Sequence, residues 1–279
     1  MDPLPGPVPV FLISRVRTSA GMDSRVIVIT GASSGIGAAL ARNLGAKGDQ
    51  LVLGARRLDR LEKVAAESGR QAIAVATDVT RRKDLENLRD VALREYGHID
   101  VWVNNAGRAT GKTVMELTDE EFQDVIDVVL KSVLYGMQVI VPHFQERGKG
   151  HLINISSTLG RVPLVSYRSI YSAAKSGVNV LTANLRMDLR AKYPGIHVSL
   201  VLPGIVDTEF HLVAKTPMPT KAGTRVGAAT VLSPEEVATG IAGLMDSPVA
   251  ELYIPASGAE LAKQYYQDVG AFEERMTRW

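Results

Sequence analysis

The stretch VIVITGASSGIG, residues 26–37, is the part of the sequence that decides the fold. Its first four residues form a continuous apolar run, typical of a strand that is buried on both faces of a parallel sheet. Helical periodicity begins at Gly35, directly after a glycine-rich turn. Glycines let the backbone approach phosphate oxygens, and the N–H groups at a helix N-terminus favour an anion. The stretch therefore predicts a strand, a turn and a helix that bind a pyrophosphate. The alternative is a tight turn that binds nothing.

The same alternation of apolar runs and helical periodicity continues to the end of the chain. The predicted strands are Val26–Ile29, Leu51–Leu53, Ala72–Ala76, Val101–Val103, Leu152–Ile155, His197–Leu202 and Leu252–Ile254. The predicted helices are Gly35–Leu44, Leu58–Ala65, Leu85–Ala92, Asp119–Phe144, Ile170–Leu189 and Glu235–Met245. Buried strands that alternate with helices favour right-handed crossovers. We therefore expect an α/β fold, a doubly wound parallel sheet of the Rossmann type, in a single domain over residues 24–279.

Three segments lie outside this alternation. Residues 1–23 contain four prolines and lack the basic start of a secretory signal, so we expect either a disordered tail or an extraneous extension of a chain whose natural start is Met22. Residues 206–231 form one long irregular segment, and loops of that length in compact domains are usually functional. The tail from Gln264 to Trp279 has an amphipathic pattern, and its role stays open.

Composition excludes several classes of function. The formal net charge is only +2 and the charges are interspersed, which gives no electrostatic reason to expect nucleic-acid binding. The chain has no cysteine, so it has neither disulfides nor thiolate metal sites. The five histidines show no metal-binding spacing, and no run of 18 apolar residues predicts a membrane span. We expect a protein without a metal site. The absence of cysteine fits a reducing compartment, so we expect the protein to be cytoplasmic.

Three further motifs follow the glycine-rich turn in a specific order. They are Asn104-Asn105-Ala106-Gly107, the pair Ser156-Ser157, and Tyr171-Ser172-Ala173-Ala174-Lys175. Each is common by itself, but their order is not. From about Val26 to about Ile254 the chain resembles the short-chain dehydrogenase/reductase family. The resemblance implies a nicotinamide-dependent oxidoreductase in which residues 206–231 cover the substrate.

Tyr171 and Lys175 are the candidate catalytic pair. A free tyrosine has a pKa of about 10, too high for ready proton exchange near neutral pH. Lys175 lies four residues later, on the same helical face, and a nearby cation is expected to lower that pKa. By resemblance, Ser157 hydrogen-bonds the substrate oxygen, with Ser156 as its rival. Tyr167 competes with Tyr171 for the role of acid, but no lysine follows it at the fourth position.

The end of the second predicted strand indicates which nicotinamide cofactor binds. An NAD-binding site needs a carboxylate there, and this chain has Gly54-Ala55-Arg56-Arg57 instead. Arginine suits a 2′-phosphate because its planar group forms paired hydrogen bonds to phosphate. Two cations also oppose the dipole of the helix that follows, which disfavours the alternative that they only solvate it. We therefore expect NADP(H).

The resemblance extends the cofactor site to other loops. It implies that Asp78 and Val79 flank the adenine, that Asn105 to Gly107 line the cleft, and that Ile205 and Thr208 meet the carboxamide. Asn105 and the Pro203-Gly204 pair are alternatively plain turn residues. The expected cofactor-binding set is Gly31, Ser33, Ser34, Gly35, Ile36, Gly37, Arg56, Arg57, Asp78, Val79, Asn105, Ala106, Gly107, Tyr171, Lys175, Pro203, Gly204, Ile205 and Thr208.

The chain departs from the family pattern at Val129, where an asparagine usually stands. In the family that asparagine helps hold a helix kink and a water that links the lysine to solvent, and valine has no hydrogen-bonding side chain. Three explanations stay open: the backbone alone keeps the water, Ser132 substitutes, or the proton relay is impaired.

We expect an NADP(H)-dependent oxidoreductase that interconverts a carbonyl and an alcohol on a small to medium apolar substrate. We expect Phe210, His211, Leu212 and Met218 to line the apolar side of the irregular segment, which suggests that substrate class. The alternatives are a non-catalytic NADP(H)-binding regulator and a sugar-nucleotide epimerase, although the portion from Val231 to Trp279 is short for the latter. By resemblance, the protein forms a homodimer or homotetramer through its long helices.

Overall fold

The structure of the protein is a computed structural model that describes residues 24–210, 221–226 and 229–277. A seven-stranded parallel sheet runs through these residues in the order β3-β2-β1-β4-β5-β6-β9. Its strands are β1 Val26–Thr30, β2 Gln50–Ala55, β3 Ala72–Ala76, β4 Val101–Asn104, β5 Gly150–Ile155, β6 Ile196–Pro203 and β9 Glu251–Ile254. The doubly wound Rossmann-type fold and the single domain are confirmed.

Helices cover both faces of the sheet. They are α1 Gly35–Ala46, α2 Leu58–Glu67, α3 Arg82–Tyr96, α4 Asp119–Val125, α5 Ser132–Arg147, α6 Ser169–Arg190, α7 Pro234–Asp246, α8 Ser257–Gln267 and α9 Val269–Thr277. A short antiparallel pair, β7 Arg225–Val226 and β8 Ala229–Thr230, lies apart from the main sheet. The predicted elements are all present, with ends that differ by a few residues.

Successive residues of a strand point to opposite faces, which explains the continuous apolar runs. Ile27 and Ile29 of β1 belong to a core cluster with side chains of α1, α2 and α7. Val26 and Val28 belong to a second cluster with side chains of α3, α5 and α6. β1 therefore supplies side chains to two cores, one on each face of the sheet.

The predicted helix over residues 119–144 is divided into three parts. Between α4 and α5, residues Ile126–Lys131 form a π-helix, in which each turn accommodates an extra residue. Such turns are frequent at functional sites, and this one contains Val129. Apolar periodicity alone does not detect it, because the same side chains remain on the buried side of either helix type.

Among the described residues, one helical stretch, Asp119–Arg147, is long and apolar enough to cross a membrane by length and composition. Half of its most apolar window is buried inside the protein. Its α5 portion packs against α3, β4 and β5, as the core helix of a globular fold does. Length and composition are therefore weak evidence for a membrane span.

Two predicted segments, the N-terminal extension and the lid, lie wholly or partly outside the residues that the structure describes. The extension at residues 1–23 lies outside the described residues, and so do His211, Leu212 and Met218 of the predicted lid. Of that lid, the parts on either side of residues 211–220 contact each other, since the N of Ala222 donates to Asp207 Oδ2 at 3.0 Å. Val206 forms a parallel bridge with Leu232, so this end of the segment is anchored.

Candidate active site

The site lies at the carboxyl end of the sheet, where the loops after β1, β4, β5 and β6 meet. In doubly wound sheets, ligands bind at this edge where the strand order reverses. Here β1 lies between β2 and β4, so the reversal occurs beside the glycine-rich turn. The fold therefore brings all four sequence motifs to one edge.

The glycine-rich turn is a close fit to its neighbours. Gly31 has a φ of +66°, and a Cβ on it would lie 2.7 Å from the Cα of Ala106. Gly35 has a φ of +55°, and a Cβ on it would lie 3.0 Å from the Cγ2 of Thr208. Residues that carry a side chain rarely adopt such φ values, and a Cβ would also be too close to its neighbours. Both positions therefore require glycine. The side chain of Ser34 at the N-cap of α1 makes no capping hydrogen bond, so the first N–H groups of the helix remain available to a pyrophosphate.

Asn105 holds this turn in place. Its Nδ2 donates to the carbonyl oxygens of Thr30 at 2.9 Å and Gly31 at 3.2 Å. Its backbone N donates to the Oγ1 of Thr30 at 3.0 Å. Asn105 therefore ties the end of β4 to the end of β1, and it is more than a plain turn residue. Ala106 and Gly107 continue from it along the same cleft.

Arg57 follows β2, and its side chain reaches the serines of the glycine-rich turn. Its Nη2 donates to the Oγ of Ser34 at 2.8 Å and to the Oγ of Ser33 at 3.2 Å. Its Nη1 donates to Glu209 at 3.1 Å. Arg56 and Arg57 are both exposed. A guanidinium and two hydroxyls thus converge at the end of β2, and these groups suit a phosphate. The sequence reasoning did not consider Glu209.

Asp78 and Val79 lie in the turn after β3. The Oδ1 of Asp78 accepts hydrogen bonds from the N and Oγ1 of Thr80, at 3.0 and 2.8 Å. The N of Asp78 donates to the Oδ2 of Asp84 at 2.9 Å, and Val79 is buried. These contacts stabilise the turn itself, so the expected contact of both residues with an adenine stays a prediction.

The loop after β6 passes over the cleft. Gly204 donates from its N to the carbonyl of Ile254 at 2.8 Å, and the Ile205 carbonyl accepts from Leu232 at 2.8 Å. Pro203 accepts from the Oγ1 of Thr158 at 3.1 Å. These bonds fix the start of the loop, so that Thr208 reaches Gly35 on the opposite side of the cleft.

Ser157 and Tyr171 face each other, whereas Ser156 points elsewhere. The hydroxyl of Ser157 accepts from the N of Leu159 at 3.2 Å, and it acts to lower the pKa of the Tyr171 hydroxyl. The hydroxyl of Ser156 donates to Asn179 Oδ1 at 2.5 Å. Because neighbours on an extended segment point to opposite faces, only Ser157 reaches the tyrosine.

Lys175 is buried beneath Tyr171. Its Nζ donates to the carbonyl of Ile155 at 2.6 Å and lies 5.7 Å from the centroid of the Tyr171 ring. Both side chains arise from α6, one turn apart, as the sequence spacing predicts. Burial lowers the pKa of Lys175 to about 7, so its ammonium group exchanges a proton near neutral pH.

The pKa of Tyr171 differs from the expected one. Burial raises it to about 12, while the hydrogen bond with Ser157 and the charge of Arg168 act to lower it. The expectation of a lowered value is therefore wrong in its net direction, because desolvation of a fully buried phenolate outweighs both effects. Near neutral pH the phenol is protonated, which is the form that can donate a proton to an alkoxide.

Arg168 is a site residue that the sequence reasoning missed. It is 3% exposed, and its guanidinium carbon lies 5.6 Å from the Phe210 ring centroid. The Phe210 ring in turn packs edge-on against Tyr171, with centroids 5.2 Å apart. Buried arginines are rare, and one beside a candidate catalytic tyrosine indicates a functional role. Nothing in the local sequence distinguishes it from a surface arginine.

Val129 and Ser132 occupy the π-helical region beside Tyr171. Val129 is fully buried in an apolar cluster with Ile170, Tyr171 and Ala174. The hydroxyl of Ser132 donates to the carbonyl of Val128 at 2.6 Å, within the same π-helical region. The helix distortion is nevertheless present, which shows that it does not require the asparagine side chain.

The C-terminal helices pack over the Ser157 side of the site. Phe272 and Ala262 form a small apolar cluster with Val162, which follows the turn of Ser157. The hydroxyl of Tyr266 donates to the carbonyl of Arg161 at 3.1 Å. The tail therefore packs on residues 161–162, which follow the turn of Ser157.

Comparison with known proteins agrees with this geometry. The family model described as short chain dehydrogenase matches residues 25–216. An uncharacterized oxidoreductase of Staphylococcus saprophyticus is 38% identical over 189 residues, which cover 67% of this chain and 76% of the relative.

Two solved structures are similar in fold and sequence. One is an alcohol dehydrogenase from the archaeon Thermococcus sibiricus, complexed with 5-hydroxy-NADP, with 31% identity and a TM-score of 0.71 over 83% of this chain and 96% of that one. The other is a short-chain dehydrogenase/reductase from Burkholderia phymatum in complex with NAD, with 25% identity and a TM-score of 0.80 over 89% of this chain and 95% of that one. With its sheet order, its glycine-rich turn and its Ser157–Tyr171–Lys175 group, the chain belongs to the short-chain dehydrogenase/reductase family of oxidoreductases.

Proposed function

We propose that this protein is an NADP(H)-dependent oxidoreductase that interconverts a carbonyl and an alcohol on a small to medium apolar substrate. The observation that carries the proposal is the group of Ser157, Tyr171 and Lys175 at the carboxyl end of β5, beside a glycine-rich turn that fits a pyrophosphate. A bound nicotinamide would supply or accept the hydride.

In this proposal each side chain has one role. Ser157 orients the substrate oxygen by a hydrogen bond, and Tyr171 donates a proton from its hydroxyl to that oxygen during reduction. Ser157 and Arg168 then stabilise the phenolate that remains, since both favour its charged form. Lys175, with a pKa of about 7, holds or releases a proton at Nζ near neutral pH.

The preference for NADP(H) rests on the groups at the end of β2. Arg57 is directed toward Ser33 and Ser34, and this arrangement supports a 2′-phosphate site that also includes the exposed Arg56. The similar structures do not decide the matter, because one is complexed with an NADP derivative and the other with NAD.

The apolar character of the substrate is supported by the side chains around Tyr171. Phe210 and Leu159 pack against the cluster that contains Tyr171, and Leu164 packs against the small apolar cluster of the C-terminal helices. Such surroundings exclude water from the reacting oxygen and favour apolar groups next to a carbonyl.

A homodimer or homotetramer in the cytoplasm is part of the proposal. Val180 and Met187 are large apolar residues on α6, exposed by 59% and 66%, which supports an interface along this long helix. Light scattering of the purified protein tests the assembly, and a monomer would contradict it.

The test of the activity is consumption of NADPH and of NADH over a panel of ketones and aldehydes. We expect kcat/KM to favour NADPH, and Arg56→Ala and Arg57→Ala to reduce this preference by about tenfold. Arg94→Ala, on α3 and paired with Glu95, serves as the matched control. A preference for NADH would contradict the cofactor assignment.

A non-catalytic NADP(H)-binding regulator is the second candidate. Val129 favours it, because the usual asparagine is missing, whereas the retained π-helix and the Ser157–Tyr171–Lys175 group count against it. Cofactor binding without turnover on any carbonyl of the panel would support the regulator. Turnover that Tyr171→Phe removes would support the enzyme.

A further inference from the structure

Glu209 forms ion pairs with two arginines at the end of β2. The Nη1 of Arg57 donates to Glu209 Oε2 at 3.1 Å, and the Nη1 of Arg60 donates to its Oε1 and Oε2 at 2.9 and 2.7 Å. The hydrogen bond from Arg57 and the charges of both arginines lower the pKa of the Glu209 carboxyl, so it is ionised at neutral pH. The carboxylate of Glu209 therefore accepts a hydrogen bond from the Arg57 guanidinium group, which also donates to Ser33 and Ser34.

Glu209 belongs to a short segment that crosses the whole cleft. We call residues 207–210 the strap. Thr208 lies against Gly35 of the glycine-rich turn, and Phe210 lies against the ring of Tyr171. Glu209 connects the strap to the residues that follow β2, because its partners Arg57 and Arg60 lie 152 and 149 residues earlier in the chain.

We propose that Glu209 is a specificity-determining residue, which competes with the cofactor's 2′-phosphate for Arg57 and Arg60. The inference rests on the proposed function, because it concerns the NADP(H) site. A 2′-phosphate carries more charge and more acceptor oxygens than a carboxylate, so it displaces Glu209 from the guanidinium groups. NAD(H) has no such phosphate, and Glu209 keeps its partners when NAD(H) binds.

The ion pairs are weak enough to be displaced. The side chains of Arg57 and Arg60 are each 45% exposed and that of Glu209 is 47% exposed. Exposed pairs of this kind contribute little to stability because water screens them and both side chains lose freedom. Two arginines against one carboxylate also leave a local excess of positive charge, which attracts a phosphate even while Glu209 is paired with both arginines.

Glu209→Gln is the variant that tests this competition. We expect it to lower the Kd of NADPH about fivefold, because the amide no longer competes as an anion. The Kd of NADH should change by less than about twofold. Glu235→Gln is the matched control, because Glu235 is an exposed carboxylate that lines the same 410 Å³ cavity as Glu209.

Two probes separate this inference from the proposed activity. Calorimetry with adenosine 2′,5′-bisphosphate and with adenosine 5′-monophosphate measures the phosphate site without any turnover. Tighter binding of only the bisphosphate to Glu209→Gln supports the inference. Equal changes for both nucleotides, unchanged binding, or the same gain in Glu235→Gln would overturn it.

Binding by the wild-type protein distinguishes the remaining cases. If the wild type binds reduced dinucleotides but catalyses no carbonyl reduction, the proposed activity fails and the comparison of the two nucleotides still decides the inference. If the wild type binds neither nucleotide nor dinucleotide, the proposed function and the inference fail together.

Discussion

At the amino end of the sheet, a partly buried carboxylate is paired with an arginine, whereas at the carboxyl end a buried lysine has a backbone carbonyl as its acceptor. Asp100, just before β4, accepts two hydrogen bonds from Arg147 at 3.1 Å and one from the backbone N of Val26 at 2.9 Å. Lys175, at the other end, has a backbone carbonyl as its hydrogen-bond acceptor. Burial raises the pKa of Asp100, but its partners outweigh that effect and the net value is lowered. For Lys175, burial dominates.

The paired Asp100 contributes to the stability of the fold, whereas the buried Lys175 belongs to the candidate active site. Paired charges at one end fix the sheet and its helices, since each group favours the ionised form of the other. A buried lysine with a lowered pKa destabilises the fold near neutral pH, and such costs are typical of active sites. We therefore expect substitutions at the two ends to have opposite effects on stability and activity.

The largest effect is expected for Tyr171→Phe, which removes the proton donor and leaves the ring. We expect the rate of carbonyl reduction to fall about 1000-fold, because general acid catalysis contributes on that scale. The Kd of NADPH should stay within about twofold of the wild-type value. Steady-state kinetics and fluorescence titration measure both quantities. Activity close to that of the wild type would remove Tyr171 from the proposed mechanism.

Lys175→Met should abolish turnover and stabilise the fold. Burial shifts the pKa of Lys175 from 10.5 to about 7, so the unfolded state binds more protons between these values. The penalty is present below pH 7 and disappears as the pH rises toward 10. At pH 7 we expect a gain of about 2 kcal/mol, after allowing for the lost hydrogen bond to Ile155.

The measurement for Lys175→Met is denaturant unfolding between pH 7 and 9.5 without added dinucleotide. In this range the wild-type free energy of unfolding should rise with pH more steeply than that of the variant. Parallel pH profiles would mean that Lys175 is not buried as a destabilising cation.

Asp100→Asn should lower stability and leave activity unchanged. The loss of the charged partner of Arg147 should reduce the free energy of unfolding by about 1–2 kcal/mol at pH 7. Because the pKa of Asp100 is lowered in the folded state, this difference should shrink as the pH falls through the acid range. Thermal unfolding measures it.

Asp246→Asn is the control for Asp100→Asn. Asp246 pairs with Arg25 at the same end of the sheet, but its side chain is 61% exposed. Its loss should cost less than about 0.5 kcal/mol. An equal cost for both variants would mean that burial does not distinguish the two pairs.

The smallest effect is expected for Arg168→Met, which removes a buried cation beside Tyr171. Alcohol oxidation needs the phenolate as a base, so its pH profile should shift upward by about half a unit to one unit. Arg168→Lys should keep the wild-type profile, since it keeps the charge. Circular dichroism checks that both variants fold. Lower activity with an unchanged profile would mean that Arg168 only supports the structure.

The sequence predicted the strands and most of the site, because both depend on local patterns. Apolar runs such as Val26–Ile29 indicate buried strands wherever they occur, and the order of parallel strands brings their loops to one edge. The spacing of Tyr171 and Lys175 placed them on one helical face. The choice of Ser157 over Ser156 came from the resemblance to the family, and the structure directs the Ser156 hydroxyl to Asn179 instead.

The sequence by itself determined the fold class, the family and the group of Ser157, Tyr171 and Lys175. Only the tertiary structure decided which charges are buried and which distant residues meet. Glu209 meets Arg57 across 152 residues, and the burial of Tyr171 reversed the expected direction of its pKa shift. The physical reason is that desolvation and long-range ion pairs depend on everything packed around a group, whereas periodicity and spacing depend only on its neighbours along the chain.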